Sequence, residues 1–131
     1  MKIPVQFFQP HEFQCRCGCG AGDVSAALVA ALEVFRRAWG MPVRIHSGRR
    51  CSTWNAQVGG ALRSRHMLGC AADIGPVDRA LLPAFRTLAD GMFSGLSGWE
   101  VRIYPTFVHV AVPRVEEARM WRGGAVEVLA S

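Results

Sequence analysis

A chain of 131 residues, half of them apolar, can bury one core of ordinary size and is too short for two. No apolar run reaches the ~20 residues of a membrane-spanning helix, and the opening MKIPVQFFQPHEF lacks the charged, greasy and small-residue regions of a secretory leader. Fifteen Lys and Arg against ten Asp and Glu give a net charge of +5 and a pI near 9.4, which favour a polyanionic partner or simply a solvated basic exterior; the arginines are scattered, so the stripe that would track DNA is absent. The expectation is therefore one domain over 1–131, made in the cytoplasm without an export signal, probed by no nucleic acid and acting as a monomer.

The first unusual segment lies at 12–22, where CRCGCG packs Cys15, Cys17 and Cys19 together; Cys51 and Cys70 follow. Five cysteines leave at least one thiol unpaired within the chain. A zinc knot from Cys15, Cys17, Cys19 and Cys51 is one reading, but structural zinc sites usually space their paired cysteines more widely. A disulfide from the cluster to Cys51 is the expected structural role.

The stretch SAALVAALEVFRRAWG reads as a helix. Leu28, Leu32, Phe35 and Trp39 share a face, Ser25 caps the start, and Gly40 followed by Pro42 ends it. PVRIHS is a strand with Val43 and Ile45 on one side. STWNAQVGG is a brief helix that Ser52 is expected to cap and Gly59-Gly60 to stop. GCAADI is a central strand with Ala71 and Asp73 on one face and Cys70, Ala72 and Ile74 on the other. Residues 77–92 form a second helical region entered or kinked at Pro83. WEVRIY and FVHVAV, joined by Pro105 and Thr106, make a β-hairpin. These elements predict an α+β fold, a small and mainly antiparallel sheet packed against helices.

Two polar residues stand out against this apolar frame. Asp73 lies among Ala71, Ala72 and Ile74, where an unpaired carboxylate is costly, so it needs a cation or several donors. His109 lies in FVHVAV, where Val108, Val110 and Val112 take the core face and leave the imidazole on the opposite one. His66 precedes Asp73 by seven positions in SRHMLGCAADIG. A His, Asp, His set with one open position suits catalytic zinc, which brings the pKa of water toward about 7 and polarises a carbonyl.

SGRRCSTWNAQVGGALRSRHMLGCAADI followed by YPTFVHVAV resembles the D-alanyl-D-alanine carboxypeptidase-like zinc peptidases, a family that includes phage endolysins and peptidoglycan peptidases and shares its fold with the hedgehog signalling domain. EFQCRCGCG is similar to the start of one branch of it. The resemblance runs from about residue 12 to 112 and rests on SxHxxGxAxD with a distant HV. It implies Zn2+ held by His66, Asp73 and His109, and Arg50 aimed at a substrate carboxylate, with Arg49 as its competitor for that role. Ser64 matches a residue that contacts substrate, or serves only in its turn.

In many relatives an acidic residue stands three positions before the last ligand, where this chain has Thr106; in the branch sharing CRCGCG the last ligand opens HVD, where this chain has Ala111. Zinc hydrolysis normally uses a carboxylate for proton transfer. If Pro105 and Thr106 form a two-residue turn, Tyr104 opposes Phe107, Arg102 opposes His109 and Glu100 opposes Ala111, so Glu100 is the expected catalytic carboxylate, supplied across the strand pair. The function implied is a zinc peptidase cutting peptidoglycan peptides, released as a phage lysin is or carried on a virion. The alternatives are a substitution introduced at position 111, or a zinc-bearing protein that binds cell wall or builds a virion without cutting.

Overall fold

In chain order the strands are β1 (Lys2–Ile3), β2 (Val24–Ser25), β3 (Val43–Ser47), β4 (Ala71–Pro76), β5 (Glu100–Ile103), β6 (Val108–Ala111), β7 (Met120–Trp121) and β8 (Val126–Glu127). The helices are α1 (Ala26–Trp39), α2 (Ser52–Gln57) and α3 (Leu82–Ser94). This computed structural model describes residues 1–113 and 119–128; the other positions of the expected 1–131 domain lie outside the described residues.

The fold is α+β, built on a four-stranded antiparallel sheet in the order β3-β4-β6-β5. Side chains alternate across a strand, and here the two faces differ in chemistry. Ile45, Ala72, Ile74, Val108 and Val110 are buried on the inner face. α3 packs there through Phe85, Ala89 and Phe93, and Phe35 of α1 meets Phe85 and Phe93 at ring-centroid distances of 5.1 and 5.4 Å. The outer face carries Asp73, His109, Glu100 and Arg102. Register aligns them: Asp73 opposes His109 across β4 and β6, and His109 opposes Arg102 across β6 and β5.

α1 forms as its sequence dictates. The Ser25 hydroxyl accepts from the Leu28 amide, and Gly40 ends the helix in the left-handed region at φ 78°. Pro83 stands in the first turn of α3, where its missing amide is harmless, so the proline enters the helix without kinking it. The cap of α2 differs from expectation: the Sγ of Cys51, not Ser52, accepts from Trp54 N, and Ser52 is the first helical residue.

The short strands β1 and β8, and β2 and β7, pair antiparallel and join the chain's two ends. Glu33 secures the first segment to α1. Its fully buried carboxylate accepts from the amides of Gln6 (2.8 Å) and Phe7 (3.4 Å) and faces Arg37 (3.5 Å), the partners that a charge removed from water requires. Among the described residues no helix is long and apolar enough to cross a membrane.

Candidate metal and substrate site

His66 comes from a 3-10 turn, Arg65–Leu68, whose start is capped by the Ser64 hydroxyl accepting from the His66 amide (3.2 Å). Gly69, at φ 73°, ends the turn in the left-handed region and sends the chain into β4. A side chain at that position would meet the Asp23 carbonyl at 2.2 Å, so glycine is required there on two grounds. Seven positions therefore contain one turn and the start of a strand, which brings His66 back over Asp73 on the sheet.

The three polar groups meet at one oxygen. Asp73 Oδ1 lies 3.1 Å from His66 Nε2 and 2.8 Å from His109 Nδ1. On the far side of each ring another acceptor fixes the proton. His66 Nδ1 is 2.7 Å from the Gly48 carbonyl, which can only accept, so Nδ1 carries hydrogen and Nε2 a lone pair in the neutral ring. His109 Nε2 is 3.1 Å from Glu100 Oε1 and in the same way leaves its lone pair on Nδ1. Two nitrogen lone pairs thus point at a carboxylate oxygen, all of it at most half-open to water. Three acceptors in contact repel unless a cation lies among them, either protons on both rings or one shared metal ion.

Asp73 is only 5% exposed. Burial pushes its carboxyl up, but the contacts and charge of His109 and His66 outweigh it and bring the pKa down to about 2. Its other oxygen takes Arg50 Nη2 at 3.3 Å. The Arg50 fork is further held by Ser47 Oγ (3.1 Å from Nε) and Asn55 Oδ1 (3.3 Å from Nη1), while Asn55 Nδ2 donates to the Ala61 carbonyl. Arg49 points elsewhere and donates to the Asp23 carbonyl, so Arg50 alone of the pair lines the cleft.

Glu100 reaches the same cleft by the expected register: it opposes Ala111, and Tyr104 N donates to Phe107 O to close the two-residue loop. Arg102 Nε also lies 3.2 Å from Glu100 Oε1, the oxygen that faces His109, so this guanidinium lines the cleft beside the carboxylate. Ser64, Arg50, His66, Asp73, Glu100 and His109 all line one open cleft of about 560 Å³. Thr106, in the turn, is not among its lining residues. Sequence reasoning missed Asn55, a buried amide that accepts from Arg50 while its own Nδ2 is anchored to the Ala61 carbonyl, and the Gly48 carbonyl; a backbone group leaves no mark in composition.

Among the described residues the expected disulfide from the cluster to Cys51 is not formed: Cys15, Cys17 and Cys51 hold their sulfurs 3.4 to 3.7 Å apart, against about 2.05 Å for a bond.

The family model described as Peptidase M15 matches residues 6–111, a span that contains every residue of the cleft named above. The zinc D-Ala-D-Ala carboxypeptidase of Streptomyces albus G is 40% identical over 81 residues, covering 55% of this chain. The alignment takes in 32% of that relative, so the chain spans about a third of its length.

Proposed function

Since the chain belongs to the peptidase M15 family, we propose that it is a zinc-dependent peptidase that hydrolyses a peptide bond in the stem or cross-link peptides of peptidoglycan. The observation carrying this reading is the meeting of His66, Asp73 and His109, whose outer hydrogen bonds leave three acceptors facing one point. The donor set fits zinc: two imidazole nitrogens and a carboxylate oxygen, all within 4.8 Å of one another. Their contacts of 2.8 and 3.1 Å approach the edge of about 3.3 Å that bonds near 2.0 Å give in a tetrahedron. His66 Nε2, Asp73 Oδ1 and His109 Nδ1 would hold the ion. When bound, zinc supplies a Lewis acid that activates water and polarises a carbonyl.

The chain's own groups do the rest. Arg50, fixed by Ser47, Asn55 and Asp73, presents a planar donor to a substrate carboxylate. The Ser64 hydroxyl, which accepts from the His66 amide, keeps its hydrogen for a substrate acceptor. Glu100 orients His109 through Nε2, on the side of the ring away from the ion; rotated off that nitrogen into the cleft, it would serve as the carboxylate that takes a proton from the attacking water and returns it to the leaving amine, an effect of about 10² to 10⁴ in rate. The charge of +5 supports a polyanionic wall as the place of action, reached after release of a lysin or on a virion.

The test is digestion of purified murein by zinc-loaded protein, followed by mass spectrometry of the fragments. New amino termini or free D-alanine are expected, and the mass lost distinguishes carboxypeptidase from endopeptidase. Murein left intact under every divalent metal overturns the peptidase. It would leave a zinc-bearing wall-binding or virion protein, a reading favoured by the alanine at 111 and the threonine at 106.

A further inference from the structure

A second group of ligands lies outside the cleft. The Sγ atoms of Cys15, Cys17, Cys19 and Cys51 all lie within 4.8 Å of one another. Three of the separations are 3.4 Å (Cys15 to Cys17), 3.7 Å (Cys15 to Cys51) and 3.6 Å (Cys17 to Cys51). Four thiolates around zinc, with bonds near 2.3 Å, have edges of about 3.8 Å, so these sulfurs already stand close to the corners of that tetrahedron.

The local chain explains how so tight a spacing reaches this arrangement. Cys15 N donates to the Ala21 carbonyl (2.7 Å) and Gly18 N to the Cys15 carbonyl (3.2 Å), closing CRCGCGA into a small loop. Gly18 and Gly20, at φ 85° and 89°, supply the left-handed backbone that lets alternate residues turn their sulfurs inward. The fourth sulfur arrives from another segment. Cys51 N donates to Cys15 Sγ and Trp54 N to Cys51 Sγ, each at 3.4 Å, the kind of amide support that surrounds metal thiolates.

We propose that Cys15, Cys17, Cys19 and Cys51 bind a structural zinc ion, separate from the cleft, that staples the N-terminal loop to the segment carrying Arg50. The four-sulfur set is closed, with no ligand position left for substrate, and thus matches a structural role. Binding displaces the thiol protons to solvent and forms four zinc–sulfur bonds without oxidising any sulfur. The proposal does not depend on peptidase activity.

Two measurements on the full chain test it. Metal analysis of protein purified without chelator is expected to give about two zinc per chain, one for each ligand set. Replacement by cobalt is expected to give a thiolate-to-cobalt charge-transfer band in the near ultraviolet, which nitrogen and oxygen ligands do not produce. Cys19→Ser, at an exposed position, and Cys51→Ser should each lose that band and about one metal equivalent, whereas His66→Ala should lose an equivalent and keep the band. Absence of the band in cobalt-loaded wild-type protein overturns the proposal whether or not the variants fold. So does an intact mass lowered by the two hydrogens of a disulfide. Either result leaves the cleft's own metal content readable from His66→Ala.

Discussion

Replacing Asp73 by asparagine keeps the shape of the side chain and removes its charge, which isolates the electrostatic role of the carboxylate. The carboxyl is held at about 2 against an ordinary 3.8, and at about 1.4 kcal/mol per pKa unit this depression contributes on the order of 2.5 kcal/mol to folding of the metal-free protein. Because the folded pKa lies below the unfolded one, the contribution is complete above pH 3.8 and fades as pH falls through about 2. The substituted amide can still accept from one ring N–H, so with both rings protonated, near pH 5, Asp73→Asn is expected to lose about 1 to 2.5 kcal/mol. The assay is urea denaturation of chelator-treated protein near pH 5 and again near pH 2. The two proteins should differ at the first and converge at the second. Equal stability near pH 5, or a gap that persists near pH 2, would refute the assignment of stabilisation to the charge of Asp73.

Further outcomes follow from the same geometry. Glu100→Gln should retain its metal and substrate affinity while kcat falls by about 10² to 10⁴; full activity in a zinc-replete variant would remove Glu100 from proton transfer. Arg50→Lys, which breaks the two-pronged fork but keeps the charge, should raise KM for a carboxylate-ended peptide at least tenfold, on the order of 1.4 kcal/mol, with kcat and metal content little changed. In Gly60→Ala the new Cβ would stand 2.1 Å from Asn55 Oδ1 and 3.1 Å from Arg50 Nη1. Displacement of Asn55 should then cost about 1 to 3 kcal/mol in denaturant titration and raise KM in the same direction as Arg50→Lys. An unaltered KM would show that Asn55 does not position the guanidinium.

Much of the frame was legible because it follows from local rules. Ser25, Gly40 and the spacing of Leu28, Leu32 and Phe35 define α1 without reference to anything distant. The hairpin is more instructive. Pro105-Thr106 is not a favoured two-residue turn, yet the pairing of Glu100 with Ala111 was deducible, since alternation fixes which side chains share a face once the loop length is known. That parity also placed His109 and Asp73 on the face away from the valines, where the structure brings them together.

What escaped the sequence depends on long-range partners. Strands β1, β2, β7 and β8 are two residues each and too short to carry a period. Arg49 and Arg50 are chemically alike, and only the course of the chain sends one to the Asp23 carbonyl and the other to Asp73. Cys51 as the cap of α2, and the buried Glu33 gripping the Gln6 and Phe7 amides, depend on groups many positions away. The closeness of the Cys15, Cys17 and Cys51 sulfurs was hidden for a related reason, because two left-handed glycines fold the CRCGCG segment more tightly than an extended chain permits.

The five residues from Ser47 to Cys51 form a shared girder. Gly48 sets the tilt of one imidazole, Arg50 furnishes the guanidinium of the cleft, Arg49 ties back to the N-terminal side and Cys51 belongs to the sulfur cluster. Gly48 can lie this close to Phe13 only because it lacks a side chain, a Cβ there standing 2.8 Å from the Phe13 backbone. A loop grafted or lengthened at either end of this girder would therefore reach the chemistry mechanically, and swapping the cysteine-rich opening between relatives should alter substrate preference even though none of residues 12–22 lines the cleft.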